Sequence, residues 1–267
     1  MALLVIGMGL AIGWSWYAVF SPLFEDPREW AERDRAYRTM VRTVLAADLD
    51  DEESSSNLPV WPPPMTDTQA GLVACAEGQV ARAVRLSSLY HPISYPWGDV
   101  PDHLATSADL VVRCLRDTGL DLQQLIHLDR KAHPTRYPLH LWAQNRADTS
   151  IDHRRLPNLF AFMKHHVQPL SGLTDSPEKR ATFLPGDLIF WAFGKSSEFP
   201  GLVGLVTDRR DASGLPLIVT LLPEDRRMSD HHLLTDWTIM AHFRILPDNL
   251  LERFLEGNPA ASLVAAP

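Results

Sequence analysis

Hydrophobic positions change their spacing several times along the chain, and each change marks an element. Residues 1–20, MALLVIGMGLAIGWSWYAVF, carry no charged side chain. About 20 apolar residues suffice to cross a bilayer as a helix. From 27 to 49 the apolar positions Tyr37, Val41, Val44 and Leu45 recur at helical spacing among charges. The pattern then stops, because LDDEESSSNLPVWPPPMTD is acidic, serine-rich and proline-rich, the composition of a linker. Helical spacing returns after Thr66, whose distance to Gln69 is that of a capping box. It continues to about Ser87 with Leu72, Val73, Ala76, Val80 and Val84 as the buried stripe. A loop follows, then a helix over 108–118 closed by Gly119, a short helix over 122–129, an irregular polar stretch over 134–158, and a helix over 159–166. Beyond this the pattern is apolar or alternating, which predicts strands at 187–193, 202–207, 217–222 and 237–246, parted by turn residues such as Pro185-Gly186 and Ser213-Gly214. Residues 248–255 predict a closing helix.

Helices first and strands later give an α+β domain with an antiparallel sheet. The predicted organisation is a transmembrane anchor over 1–20, a connector helix over 21–48, a linker over 49–65, the folded domain over 66–256 and a frayed tail over 257–267. Trp14, Trp16 and Tyr17 lie toward one end of the first segment, where an interfacial aromatic belt would stand. A cleavable signal peptide competes with the anchor, but there is no basic n-region and no A-x-A-like site before Ser21. The flanks carry almost no lysine/arginine bias, so they do not orient the segment by themselves.

Composition narrows the function classes. The net charge of −8, with no lysine/arginine cluster interleaved with aromatics, argues against a nucleic-acid partner. Cys75 and Cys114 are the only cysteines. One disulfide and two separate buried thiols are both open, with separate thiols the plainer reading. No C-x-x-C and no H-E-x-x-H occurs, so no zinc or redox motif is present and no cofactor is expected. His165-His166 and His231-His232 are adjacent pairs whose rings point apart, which suits solvated histidines better than a shared metal ion.

The most informative stretch is YPWGDVPDHLATSADLVVRCL, a loop opening directly into a helix with Ser107 at its mouth. Unpaired N–H groups and the helix dipole favour negative charge there, which is why nucleophiles are placed at such sites. Together with ADLVVRCLRDTGLDLQQLIHLD, SIDHRRLPNL, PGDLIFWAF followed by LVGLVTD, and W-x-x-x-x-H-F-R at 237–244, the segment from about 66 to 246 resembles the bacterial family catalogued as domain of unknown function 1287. That family is related to papain-like, NlpC-type cell-wall peptidases. The resemblance implies a helix-borne cysteine facing a small antiparallel sheet, a strand-borne histidine as base, and a polar group orienting the ring. It also implies a location outside the cytoplasm, with the domain facing the periplasm from the inner membrane, and peptidoglycan-type amides as substrates.

Carried over residue by residue, the resemblance places the nucleophile at Ser107, in Ser107-Ala108-Asp109, the base at Leu202, in Leu202-Val203-Gly204, and the orienting group near Thr220. A serine is a poorer nucleophile than a thiolate and depends more on its base. An aliphatic base position removes general-base catalysis, worth about 10²–10⁴-fold. The expectation is therefore a catalytically degenerate domain that binds peptidoglycan or an envelope protein as scaffold or regulator. The alternative is a hydrolase that uses Ser107 with another imidazole, for which His103, His140 and His153 are the candidates. A helix-capping Ser107 is the plain structural reading. Trp97, Asp109, His153, Arg154 and Arg155 are the candidate binding residues, with Trp142 and Trp191 as further possible cleft walls. Against that stands a structural knot in which Asp152 and the arginines tie down a long loop.

Overall fold

A computed structural model of the protein describes residues 64–143, 146–193 and 197–258. The predicted anchor, connector, most of the linker and most of the tail lie outside these residues. Among the described residues no helix is long and apolar enough to cross a membrane.

The domain opens with α1 (Asp67–Ala81), capped as its sequence predicts, with the Thr66 and Gln69 side chains exchanging bonds with each other's backbone N–H. It ends earlier than the apolar stripe suggests. Ala83 takes a left-handed backbone (φ 52) and the chain turns, so Val84 stays buried as part of an extended segment. Then come β1 (Arg85–Leu86), β2 (Leu104–Ala105), α2 (Ser107–Arg116), α3 (Leu122–Ala132), three 3-10 turns, α4 (Leu156–His166), β3 (Pro169–Leu170) and a short α5 (Pro177–Arg180). The sheet-forming half holds β4 (Leu188–Ala192), β5 (Pro200–Arg210), β6 (Pro216–Leu221), β7 (Met228–His231) and β8 (Ile239–Phe243), followed by α6 (Pro247–Gly257). The fold is thus α+β.

The main sheet has six strands in the order β3-β8-β4-β5-β6-β7, and all its pairs are antiparallel. Side chains alternate across it. Leu188, Phe190, Val203, Leu205, Val219 and Leu221 join the core formed with α1–α4 and α6. Ile189, Trp191, Leu202, Val206 and Ile218 join a second cluster with Phe183, Leu222, Leu233 and Leu234. Burial on both faces explains why β4, LIFWA, reads as an unbroken apolar run. The predicted strand over 237–246 shortens to β8, and α4 starts at Leu156 rather than at 159. β7 is an additional strand, paired only with β6 within the sheet. A separate two-stranded parallel pair, β1 with β2, sets Leu86 beside Ala105 and delivers the chain into α2.

Candidate functional site

The first turn of α2 is built by Thr106. Its side chain accepts from Asp109 N while Asp109 Oδ2 accepts from Thr106 N at 2.6 Å, a reciprocal cap. The cap is therefore Thr106 and not Ser107, which occupies the first helical position. Ser107 is 9% exposed, and no hydrogen bond to its hydroxyl is formed by any described residue. Asp109, buried below it, is held further by Arg154, with Nε 2.8 Å from Oδ1 and Nη2 3.0 Å from Oδ2. Arg154 also donates to the carbonyls of Leu89 (3.2 Å) and Ser87 (3.3 Å). One guanidinium thus joins the helix start, the segment after β1, and the turn carrying residues 152–154.

The loop before α2 is clamped by residues of the GLDLQQL motif. Asp121 Oδ2 accepts from Trp97 N at 2.8 Å, and Gln123 Oε1 accepts from Gly98 N at 2.8 Å. Gln123 Nε2 donates to Ser94 O (2.7 Å) and Thr149 O (3.0 Å), while Arg116 donates to Gly98 O at 2.6 Å. A glycine is required at 98, since a Cβ there would stand 1.9 Å from Ser94 O. Trp97 itself is held in a left-handed conformation (φ 64), unfavourable for a bulky residue and sustained by this clamp.

Asp152 pairs with Arg130 and with Arg155 (3.3 Å) and accepts from Asp148 N at 2.6 Å. Arg155 stacks 4.4 Å over the Trp142 ring. His153 is 2% exposed, and its Nδ1 has no hydrogen-bond partner among the described residues. Burial, reinforced by the charges of Arg116 and Arg154, lowers its pKa to about 3, so the ring is neutral at pH 7. The DHRR run is engaged in holding the loops over α2. Its charged groups are paired, Asp152 with Arg130 and Arg155, and Arg154 with Asp109.

Leu202 lies in the second cluster, whereas its neighbour Val203 packs in the core that contains Ala108 and Val111 of α2. The Thr220 hydroxyl donates to Val203 O at 2.6 Å, tying β6 to β5. The alternative imidazoles are placed elsewhere. His103 lies 3.5 Å from Asp102 on the surface, His140 packs against the Phe199 ring at 6.2 Å, and none of the described histidines is bonded to Ser107. Trp97 and Trp142 are half-buried. Trp191 is core, not a cleft wall.

Two of the histidines expected in solvent are not there. His166 is buried with Nε2 3.2 Å from Asp129 Oδ1, and that carboxylate also accepts from Tyr137 (2.6 Å) and Arg136 (3.2 Å). His231 is half-buried, 3.0 Å from Ser229 Oγ. His232 is exposed beside Asp211. Sequence reasoning also left His242 unassigned. It is fully buried between Asp187 Oδ2 (2.7 Å) and Ser171 O (2.8 Å), and Arg244 grips the same carboxylate at 2.7 and 2.8 Å. Asp187 and the H-F-R motif therefore bind β8 to the start of β4. Among the described residues no group of three His, Cys, Asp or Glu side chains is placed to hold a metal ion. The two cysteines are joined in a Cys75–Cys114 disulfide linking α1 to α2, which overturns the separate-thiol reading.

A solved N-acetylmuramoyl-L-alanine amidase of Bacteroides uniformis is similar at 10% identity and a TM-score of 0.39, over 67% of this chain and 99% of that one. The uncharacterized protein YijF of Escherichia coli K12 is 30% identical over 192 residues, covering 70% of this chain and 88% of its own length. Residues 73–245, which span every clamp described above, match the family described as Domain of unknown function (DUF1287). The chain belongs to that family.

Proposed function

We propose that this protein is a non-catalytic member of its family, with an NlpC-like, papain-type architecture. In this reading it binds peptidoglycan, or an envelope protein associated with it, as a scaffold or regulator. The observation that carries the reading is the isolation of Ser107. Its hydroxyl sits at a helix start, the usual place for a nucleophile, yet no described imidazole is bonded to it. The adjacent carboxylate, Asp109, is engaged by Thr106 and Arg154 rather than by an imidazole. A serine hydroxyl without a base is a weak nucleophile at neutral pH.

The disulfide supports a position outside the cytoplasm, where such bonds persist. The uncharged first 20 residues support an anchor in the inner membrane with the domain on the periplasmic side. An anchor followed by a linker would keep the domain near its ligand and raise its effective concentration there. Co-sedimentation of the full chain with purified peptidoglycan tests the proposal. Retention in the pellet, equal for wild type and Ser107→Ala, is the expected result. Absence of retention would overturn the peptidoglycan reading.

A further inference from the structure

Four arginines away from the candidate site share one corner of the domain. Arg82 caps the C-terminal end of α1, Arg85 opens β1, and Arg226 and Arg227 precede β7. Arg85 and Arg227 are directly opposed in an antiparallel bridge. Leu86 N donates to Arg226 O at 3.0 Å on one side, and Met228 N donates to Val84 O at 2.8 Å on the other. All four arginines are exposed. Directly opposed residues send their side chains to the same side, with Cβ atoms about 5 Å apart, and like charges there repel. No described carboxylate pairs with any of the four. Glu77 and Asp230 instead pair with Arg209, and Asp225 pairs with His231. Arg226 moreover holds a left-handed backbone (φ 52) that a non-glycine residue rarely adopts.

An arginine pair that no described carboxylate neutralises, in a chain of net charge −8, suits an anionic ligand. The corner is also well placed. Arg85 pairs with Leu104, and the strand containing Leu104 runs straight into Thr106 and Ser107. We propose that Arg85 and Arg227, flanked by Arg82 and Arg226, bind the carboxylates of an acidic peptide. Identifying that ligand with the peptide arms of peptidoglycan rests on the function proposed above. Guanidinium forks match carboxylates bidentately. Each exposed contact is weak, so the surface needs a ligand that offers several carboxylates at once.

The test measures binding of the full chain to fluorescent poly-L-glutamate and, separately, to purified peptidoglycan. For Arg85→Gln/Arg227→Gln, affinity for polyglutamate is expected to fall at least about tenfold with a shallower salt dependence. The charge-matched Lys131→Gln/Arg253→Gln variant, exposed on α3 and α6, is expected to change less than about twofold. The arginine double variant should melt at the same or a higher temperature, because it relieves a repulsion; a purely structural pair would lower it. The proposal is overturned if the wild type does not bind polyglutamate, if both double variants lose affinity equally, or if polyphosphate binds more than about tenfold tighter than polyglutamate. If polyglutamate distinguishes the variants while the wild type ignores peptidoglycan, the acidic-peptide surface stands and the peptidoglycan reading falls.

Discussion

Arg154 reaches over 45 positions to grip Asp109 with two parallel bonds of 2.8 and 3.0 Å, both side chains being buried. The pair sits under the first turn of α2 and fixes the one helix start at which a nucleophile would be expected. Its carboxylate is bound from both sides, by Thr106 and by Arg154, and no described imidazole is bonded to it.

Removing one member of such a pair strands the other as a buried charge. Arg154→Ala is expected to cost about 3–5 kcal/mol in urea unfolding. Asp109→Leu/Arg154→Leu should cost clearly less than the sum of the single changes, since no uncompensated charge remains.

Thr106 and Ser107 are neighbours with opposite expected behaviour. Thr106→Ala removes the cap of α2 and should destabilise by about 0.5–2 kcal/mol. Ser107→Ala removes a hydroxyl bonded to no described residue, so its melting temperature should match the wild type. A large loss from Ser107→Ala would show that the hydroxyl has a partner.

The capping box at Thr106-Ser107-Ala108-Asp109 was legible in the sequence through its T-x-x-D spacing, but the apolar run that follows draws attention to Ser107 as the cap. Helix existence was readable elsewhere through a sustained 3.6 period. The end of α1 was not readable, because Val84 continues the apolar stripe after the backbone has already turned at Ala83. β7 was missed because M-S-D-H has little apolar character and the strand pairs on one side only within the sheet. Gln123, Asp121 and Arg116 carry no local signal of their roles. Gln123 and Asp121 bond to a loop 24–29 positions away, a distance that no periodicity encodes. The joining of Cys75 to Cys114 depends likewise on how α1 packs against α2.

His153 makes the stability of the domain sensitive to acid. Its folded-state pKa of about 3 lies below the unfolded value of about 6.5. Between these the unfolded chain binds the extra proton, so the neutral ring's contribution is complete above about pH 6.5 and declines as pH falls toward 3. Urea midpoints should drop from pH 7.5 to pH 5, and His153→Leu should flatten that slope. An unchanged slope would show that the ring does not titrate in this way.

The disulfide closes a separation of 39 residues. Chain-entropy arguments give about 4 kcal/mol for a loop of that order. Cys75→Ala/Cys114→Ala should lose stability on that scale. Thiol labelling of the unfolded wild-type protein without reductant should detect no free cysteine.

The most direct test of the account concerns turnover. Full-length protein is incubated with purified peptidoglycan, and the supernatant is analysed by chromatography and mass spectrometry for released muropeptides and free peptides. The account predicts no product above the buffer blank, for wild type and Ser107→Ala alike. Product that accumulates with the wild type and disappears with Ser107→Ala would contradict it.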